Sequence, residues 1–372
     1  MPDTSTAPST APAVSLFDPI TLRGVEIRNR LWVAPMCQYS VHRLDGIPTD
    51  WHLVHLGSLA AGGAGLIVTE ATAVSPEGRI TDRDTGIWND AQTEAWTRIV
   101  AYLHEQGATA GIQLAHAGRK ASTFPAWGTA EHGSVPAEQG GWAALAPSDI
   151  AFGGYATPTA LDAAGIAAVI ADFAAAARRA LTAGFDVLEL HAAHGYLLHQ
   201  FLSPLSNERT DEFGGSLENR ARLLLRVIEA VRAEAGESVP LLVRFSATDY
   251  ATDGWSVEET AIVSGWAAAA GADFFDISSG GNVTGVQIPL APGYQVPLAQ
   301  FVKDNAQVPV NAVGLITTAR QADEIVASGA ADAVMLGREF LRDPHFALRA
   351  AHELGVQLDY WPGQYLRAAW PA

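Results

Sequence analysis

Three side chains in the hexapeptide His191-Ala192-Ala193-His194-Gly195-Tyr196 have the types and spacing to act together on one small carbonyl compound. Two imidazoles three positions apart can hydrogen-bond the same oxygen. A phenol, with an ordinary pKa near ~10, keeps its proton at neutral pH and can give it to an adjacent atom. The set reads as a place where an oxygen is gripped and a proton is delivered beside it. A competing reading makes His191 and His194 metal ligands, with His199 or Glu189 as the third, in a metal-dependent lyase or hydrolase.

Something must carry that hexapeptide to the edge of a cavity. Short apolar runs recur along the chain, each followed by a loop and then a helical pattern: Leu31 to Ala34, Leu66 to Thr69, Gly111 to Leu114, Val187 to Leu190, Leu241 to Phe245, Phe274 to Ile277, Val308 to Val313 and Ala333 to Leu336. Nearly all-apolar strands are those covered on both faces, as in parallel sheets with helical crossovers. Eight such units in 372 residues predict an α/β fold, a single (β/α)8 TIM barrel. An open doubly wound sheet would put a glycine-rich dinucleotide turn after the first strand, where this chain has Pro35-Met36-Cys37-Gln38.

In a barrel, the loops at the carboxyl ends of the strands line the active site. Cys37 and Tyr39 follow the first run, Glu70 and Ala71 the second, His116 and Lys120 the third, and the His-His-Tyr turn the fourth. Gln113 lies near the end of the third run, and Arg244 and Asp249 lie at or past the fifth. Leu16 to Arg30 is expected to cap the barrel floor. The connection from Lys120 to about Asp162 is long and carries Phe124, Trp127, Trp142, Phe152 and Tyr155, a composition that fits a lid or ordered flap better than a disordered segment.

Composition narrows the partners. A formal charge of −17, from 23 basic and 40 acidic side chains, repels nucleic-acid backbones and anionic membrane surfaces. Cys37 is the single cysteine, so the chain holds neither an internal disulfide nor a four-cysteine cluster, and a reducing cytoplasm fits it. Residues 1–14, rich in Pro, Ala, Ser and Thr without the pattern of a secretion signal, read as a disordered tail, leaving 15–372 as one domain. The Ala-rich stretch from Ile166 to Ala183 is broken by Asp172, Arg178 and Arg179, so it reads as an amphipathic helix rather than a membrane span.

Two further groups suggest a ligand. Gly314 follows the seventh run, and Gly337 with Arg338 follows the eighth; in barrels these loops commonly hold a phosphate through approachable backbone N–H groups and a guanidinium. Gln113 and Arg244 at the mouth suit a planar ring bearing carbonyls and N–H groups, although a buried Arg near a strand end is as often a structural ion-pair partner.

Longer motifs carry a resemblance. Ala34-Pro35-Met36-Cys37-Gln38-Tyr39, Gly65-Leu66-Ile67-Val68-Thr69-Glu70-Ala71-Thr72, Gly111-Ile112-Gln113-Leu114-Ala115-His116-Ala117-Gly118-Arg119-Lys120, the hexapeptide above, and Phe201-Leu202-Ser203-Pro204 through Asp211 with Gly214-Gly215-Ser216-Leu217-Glu218-Asn219-Arg220 resemble the old yellow enzyme family of flavin-dependent ene-reductases. Cys37 with Tyr39, and a histidine at position 194, are similar to its thermophilic-like subgroup. The resemblance runs from about Leu16 to the C-terminus.

It implies FMN as cofactor, reduced by NADPH or NADH. Ala34, Pro35, Met36 and Cys37 would pass under the flavin ring, Ala71, Gln113 and Arg244 would contact its polar edge, and Gly314, Gly337 and Arg338 would hold its phosphate. The implied reaction is reduction of an activated C=C bond in an α,β-unsaturated carbonyl, nitro or imide compound. His191 and His194 would hold the activating oxygen, hydride would pass from flavin N5 to the β-carbon, and Tyr196 would protonate the α-carbon. Cys37 would tune the flavin and Tyr39 would bind substrate. Gln364-Tyr365-Leu366-Arg367 is similar to the subgroup's tail, in which the arginine enters a neighbouring subunit's site, implying a homodimer or a dimer-based tetramer with Arg367 at the substrate. Read alone, a C-terminal arginine is usually just solvated. Flavin barrels with an iron–sulfur cluster do not fit one cysteine, and a non-catalytic binding barrel leaves the proton donor beside the oxygen grip unexplained.

Overall fold

The computed structural model describes residues 14–370, so the tail expected over 1–14 lies outside the described residues except for Val14. A short antiparallel hairpin, β1 (Ile20–Leu22) with β2 (Val25–Ile27), precedes the barrel. Leu22 and Ile27 pack into an inner cluster with Trp32, Leu66, Val187, Leu242, Phe274 and Met335, so the segment expected to cap the floor does so with apolar side chains.

Eight parallel strands close the barrel: β3 (Leu31–Val33), β4 (Leu66–Ala73), β5 (Thr109–Ala115), β8 (Val187–Ala192), β9 (Leu241–Ser246), β10 (Phe274–Ser278), β11 (Val310–Ala312) and β12 (Ala333–Leu336). Between β5 and β8 lie the two-residue strands β6 (Leu145–Ala146) and β7 (Thr159–Ala160) of the long connection. β12 closes on β3 with Val334 opposite Leu31 and Leu336 opposite Val33. Every residue of the eight barrel strands is buried, as doubly covered strands require. All eight sit where the apolar runs predict them. The second runs on to Ala73, past the expected Thr69, because its polar continuation is buried and bonded, with an irregularity between Val68 and Ala71. The seventh shortens from Val308–Val313 to Val310–Ala312.

Among the described residues ten helices accompany the strands: α1 (Asp50–Ala61), α2 (Asp90–Glu105), α3 (Ala163–Ala183), α4 (Leu197–Leu202), α5 (Leu217–Ala235), α6 (Val257–Ala270), α7 (Val296–Ala306), α8 (Ala319–Ala327), α9 (Arg338–Arg342) and α10 (Phe346–Glu353). The Ala-rich α3 starts where Asp162 accepts the Gly165 N–H at 2.8 Å and stops at Gly184, whose φ of 95° is left-handed. It buries one stripe, Ile166, Val169, Phe173, Ala176, Ala177 and Ala180, in the core. Each fully buried side chain of Phe173's size contributes about 1.5–3 kcal/mol. No helix among the described residues is long and apolar enough to cross a membrane.

The long connection is an ordered flap. Phe124 N–H bonds Gly133 O, Trp142 Nε1 donates to Glu77 O at 2.9 Å, and the rings of Phe152 and Tyr155 meet edge-on at 5.3 Å.

Candidate active site

The apolar β8 strand ends in a tight turn. Tyr196 N–H closes on Ala193 O at 3.1 Å, with His194 and Gly195 both left-handed at φ 56° and 71°. The turn brings the three expected side chains together: the His191 and His194 rings lie 5.2 Å apart, and those of His191 and Tyr196 4.9 Å apart. The hydrogen-bond network assigns their tautomers. Ala193 N–H donates to His191 Nδ1 at 3.3 Å, so the ring proton is on Nε2. Ser278 Oγ, which accepts from Gln295 Nε2 at 3.3 Å, shares a hydrogen bond with His194 Nε2 at 2.8 Å; with the hydroxyl as its donor, His194 carries its N–H at Nδ1. His191 keeps an N–H donor for a ligand at Nε2, and His194 keeps one in that tautomer. Burial, and next the Arg244 guanidinium, hold both imidazoles well below their usual pKa, so both are neutral. Burial pushes the Tyr196 phenol well above its usual value, and it keeps its proton.

The metal reading loses its third ligand. His199 Nδ1 accepts the Gly195 N–H at 3.0 Å and its Nε2 faces Asp249 at 3.1 Å, while Glu189 accepts Gln113 Nε2 at 2.7 Å. Among the described residues no three His, Cys, Asp or Glu side chains gather as a metal would need.

Beyond β3, Gln38 N–H donates to Glu70 Oε2 at 2.9 Å, and Glu70 Oε1 pairs with His52 Nε2 at 2.9 Å; all three residues are buried. This pins the segment that holds Pro35, Met36 and Cys37. Cys37 and Tyr39 pack with Ala71, Trp142 and Tyr196 rather than lining the largest opening at the mouth. Burial, with the Asp84 and Glu70 carboxylates adding, pushes the Cys37 thiol up, so it stays an S–H in contact with the Tyr39 phenol.

Inside the barrel, Arg244 is an ion-pair partner that also reaches the cavity. Its Nε pairs with Asp276 Oδ2 at 2.7 Å, Asp276 Oδ1 accepts Asn311 Nδ2 at 2.7 Å, and Arg244 still lines the cavity. One guanidinium faces two buried carboxyls. Glu189, with Oε2 unpartnered, is pushed up to about 8 by burial and next by Asp276, so it is carried as the neutral acid. Its bond from Gln113 Nε2 turns the amide oxygen of Gln113 the other way.

A cavity of about 330 Å³, within the usual range for ligand sites, opens at the mouth. Ala34, Pro35, Met36, Arg244, Gly314, Gly337 and Arg338 of the expected cofactor residues line it, while Cys37, Ala71 and Gln113 do not. Gly314 is a cradle only glycine fits: its φ is 107°, and a Cβ there would lie 2.6 Å from Gln295 Oε1. Arg338 is exposed and has no ion-pair partner among the described residues. A planar ring with a phosphate tail fits these residues: an apolar floor, one guanidinium inside, and a glycine-walled end with a second guanidinium. Sequence reasoning missed Ser278, Ser279, Tyr294 and Gln295, which line the cavity from the β10–α7 connection. Their only signal was position, after the sixth apolar run, in a stretch with no recognisable motif. Arg367 lies on an exposed turn and does not line its own chain's cavity.

Comparison with known proteins agrees with this architecture. Residues 15–357 match the sequence model of the NADH:flavin oxidoreductase / NADH oxidase family. An NADPH dehydrogenase of Listeria innocua is 47% identical over 354 residues, spanning 95% of this chain and 98% of that one. Morphinone reductase superposes with a TM-score of 0.77 at 28% identity, over 94% of this chain and 92% of the other. The old yellow enzyme homologue from Zymomonas mobilis does so with a TM-score of 0.76 at 29% identity, over 96% and 100%. With a match of that extent and a mouth whose donors and glycines suit a flavin phosphate, the chain belongs to the NADH:flavin oxidoreductase / NADH oxidase family, that of the old yellow enzymes, and is a nicotinamide-dependent oxidoreductase with FMN as its cofactor.

Proposed function

We propose that the enzyme reduces the activated C=C bond of α,β-unsaturated aldehydes, ketones, nitroalkenes or imides at the expense of NADPH or NADH. One observation carries the reading: two neutral imidazoles stand beside a protonated phenol, with ring centroids at 5.2 and 4.9 Å, and in this reading they donate from His191 Nε2 and His194 Nδ1. FMN, when bound, supplies the hydride to the substrate's β-carbon from its N5. The protein supplies the rest. Negative charge grows on the activating oxygen as hydride arrives, so the two N–H donors bind more tightly in the transition state than in the ground state. Neutral imidazoles suit this task because they donate without leaving a fixed positive charge in a dry pocket. The Tyr196 O–H then gives its proton to the α-carbon, completing addition of one hydride and one proton across the bond.

In this reading Ala71, Gln113 and Arg244 address the polar edge of the flavin ring and Gly314, Gly337 and Arg338 its phosphate. Cys37 tunes the flavin as a neutral thiol, and Tyr39 adds a substrate contact. Arg367, exposed near the C-terminus, reaches the active site of a second copy in a homodimer or dimer-based tetramer, and the enzyme works in the cytoplasm. The test is the visible spectrum of the purified protein during anaerobic addition of NADPH and then 2-cyclohexenone. Flavin bands should bleach and return. Bands that bleach but do not return with any enone, nitroalkene or maleimide would overturn the ene-reductase reading.

A further inference from the structure

The turn that presents His194 and Tyr196 is strained, and its peptide groups are fastened by side chains of other segments. Its primed geometry is usually filled by Asn-Gly, whereas here a histidine takes the first left-handed position. Such a conformation costs about 1–3 kcal/mol and persists only where the surroundings over-determine it. His194 N–H donates to Ser246 Oγ at 2.9 Å, and His194 O accepts from Lys120 Nζ at 2.8 Å. Gly195 O accepts from Gln200 Nε2 at 2.7 Å, and Gly195 N–H donates to His199 Nδ1 at 3.0 Å. There is no slack beneath the turn: a Cβ on Gly195 would lie 2.4 Å from Gly281 O and 2.6 Å from Asn282 Cα.

Of these fasteners, His199 leads furthest inward. With Nδ1 accepting, the ring proton sits on Nε2, which lies 3.1 Å from Asp249 Oδ1 as its ion-pair partner, and both residues are fully buried. The other carboxylate oxygen receives Ser203 Oγ–H at 2.6 Å, Trp255 N–H at 3.1 Å and Asn282 Nδ2–H at 3.2 Å. Arg119 Nη2 in turn donates to Asn282 O at 2.6 Å and Asn282 Oδ1 at 3.1 Å. A carboxylate with three donors on one oxygen is a rigid group, and the imidazole paired with its other oxygen is held by it with its own acceptor nitrogen on the turn. This is an expensive arrangement for mere space filling, since a buried charge replaced by apolar packing is often neutral or stabilising. Neither residue lines the cavity.

We propose that His199 and Asp249 are a buried positioning pair that sets the aim of His194 and Tyr196, acting through the Gly195 N–H. The pair touches neither flavin nor substrate. Its effect is felt where the turn's two side chains are used, in gripping the oxygen and protonating carbon, and not in flavin binding. The inference deepens the reading under Proposed function.

Three variants of the FMN-loaded enzyme test it: His199→Leu, His199→Gln and Asp249→Asn. Each is measured for the charge-transfer band and dissociation constant of a simple phenol, for FMN affinity, and for reoxidation by 2-cyclohexenone. Glutamine can accept from Gly195 N–H and donate to Asp249, and leucine can do neither. The expected result is about tenfold weaker phenol binding and about 10- to 100-fold slower reoxidation in His199→Leu and Asp249→Asn, FMN affinity within about twofold of the unmodified enzyme, and substantial recovery in His199→Gln. Unchanged phenol binding and reoxidation, a loss of FMN affinity as large as that of phenol, or no recovery with glutamine would overturn the proposal. If His199→Leu does not fold, Asp249→Asn against His199→Gln decides the same point. Should the unmodified enzyme turn over no enone, the proposed function fails, and phenol binding alone judges the pair.

Discussion

The two ends of the barrel mouth are built on opposite plans. At the β8 end, both peptide groups of the left-handed pair His194 and Gly195 are tied by side chains from other segments, and the ties run back to a fully buried carboxylate. At the β11 and β12 end, the wall is Gly314 and Gly337 beside an exposed Arg338, around open space. Under the proposed function, the difference follows the charge each end would handle. A phosphate carries its charge permanently, so room for it and a mobile guanidinium suffice. An oxygen that becomes negative only during reaction is stabilised by donors already in place, because a donor that must reorient gives back the energy it offers. The turn's strain and the glycine wall's openness are thus two answers to one electrostatic problem.

The contrast can be broken by mutation. The largest expected effect is His191→Ala: enone reoxidation should slow by about 10² to 10³, as for loss of an oxyanion donor, with the phenol charge-transfer band gone and FMN still bound. A retained band in titrations with phenol would show that the β8 end does not grip the oxygen. Tyr196→Phe comes next, slowing reoxidation by about 10² for weakly activated enones while NADPH reduction stays unchanged, as stopped-flow absorbance would resolve. Equal slowing of both halves would remove the phenol from the proton step.

Acid unfolding probes the anchor itself. Burial alone would raise Asp249, but hydrogen bonds from His199, Ser203 and the Trp255 N–H bring it down to about 2, against an unfolded value of ~3.9. A depressed folded pKa contributes stability that is fully present above the unfolded value and lost as pH falls through the folded one. Stability curves of the unmodified enzyme and Asp249→Asn should therefore differ by about 2 kcal/mol near neutrality and converge below about pH 2. Parallel curves would mean that the carboxylate is not ionised in the fold. The smallest effect is at the other end. Gly314→Ala should weaken FMN binding about tenfold, read by flavin fluorescence, and lower apoprotein melting by only a few degrees, because a φ of 107° strains any side chain and the new Cβ meets Gln295 at its Oε1 and its Cβ. A large melting shift instead would make the glycine wall as rigid as the turn and erase the contrast.

The sequence was legible where one residue type serves one local purpose. Eight apolar runs marked the eight barrel strands because doubly covered strands exclude polar side chains, and the hexapeptide announced an oxygen site because imidazole and phenol are costly to gather without use. It was not legible where chemistry is shared across the barrel. The pairing of Arg244 with Asp276, the unpartnered oxygen of Glu189 and the His52–Glu70 pair under the Cys37 segment join residues from distant stretches of chain. Tyr294 and Gln295 lacked any motif because the cavity uses their position more than their pattern.

By itself, then, the sequence determined the fold class and the family, since strand burial and motif identity are properties of single segments. Only the tertiary structure decided which partners His194, His199 and Arg244 meet, how far a buried carboxyl is pushed from its ordinary pKa, and why a histidine can hold a left-handed turn. Those partners, Ser278, Asp249 and Asp276, come from distant segments, and pairing across a barrel has no sequence spacing to betray it.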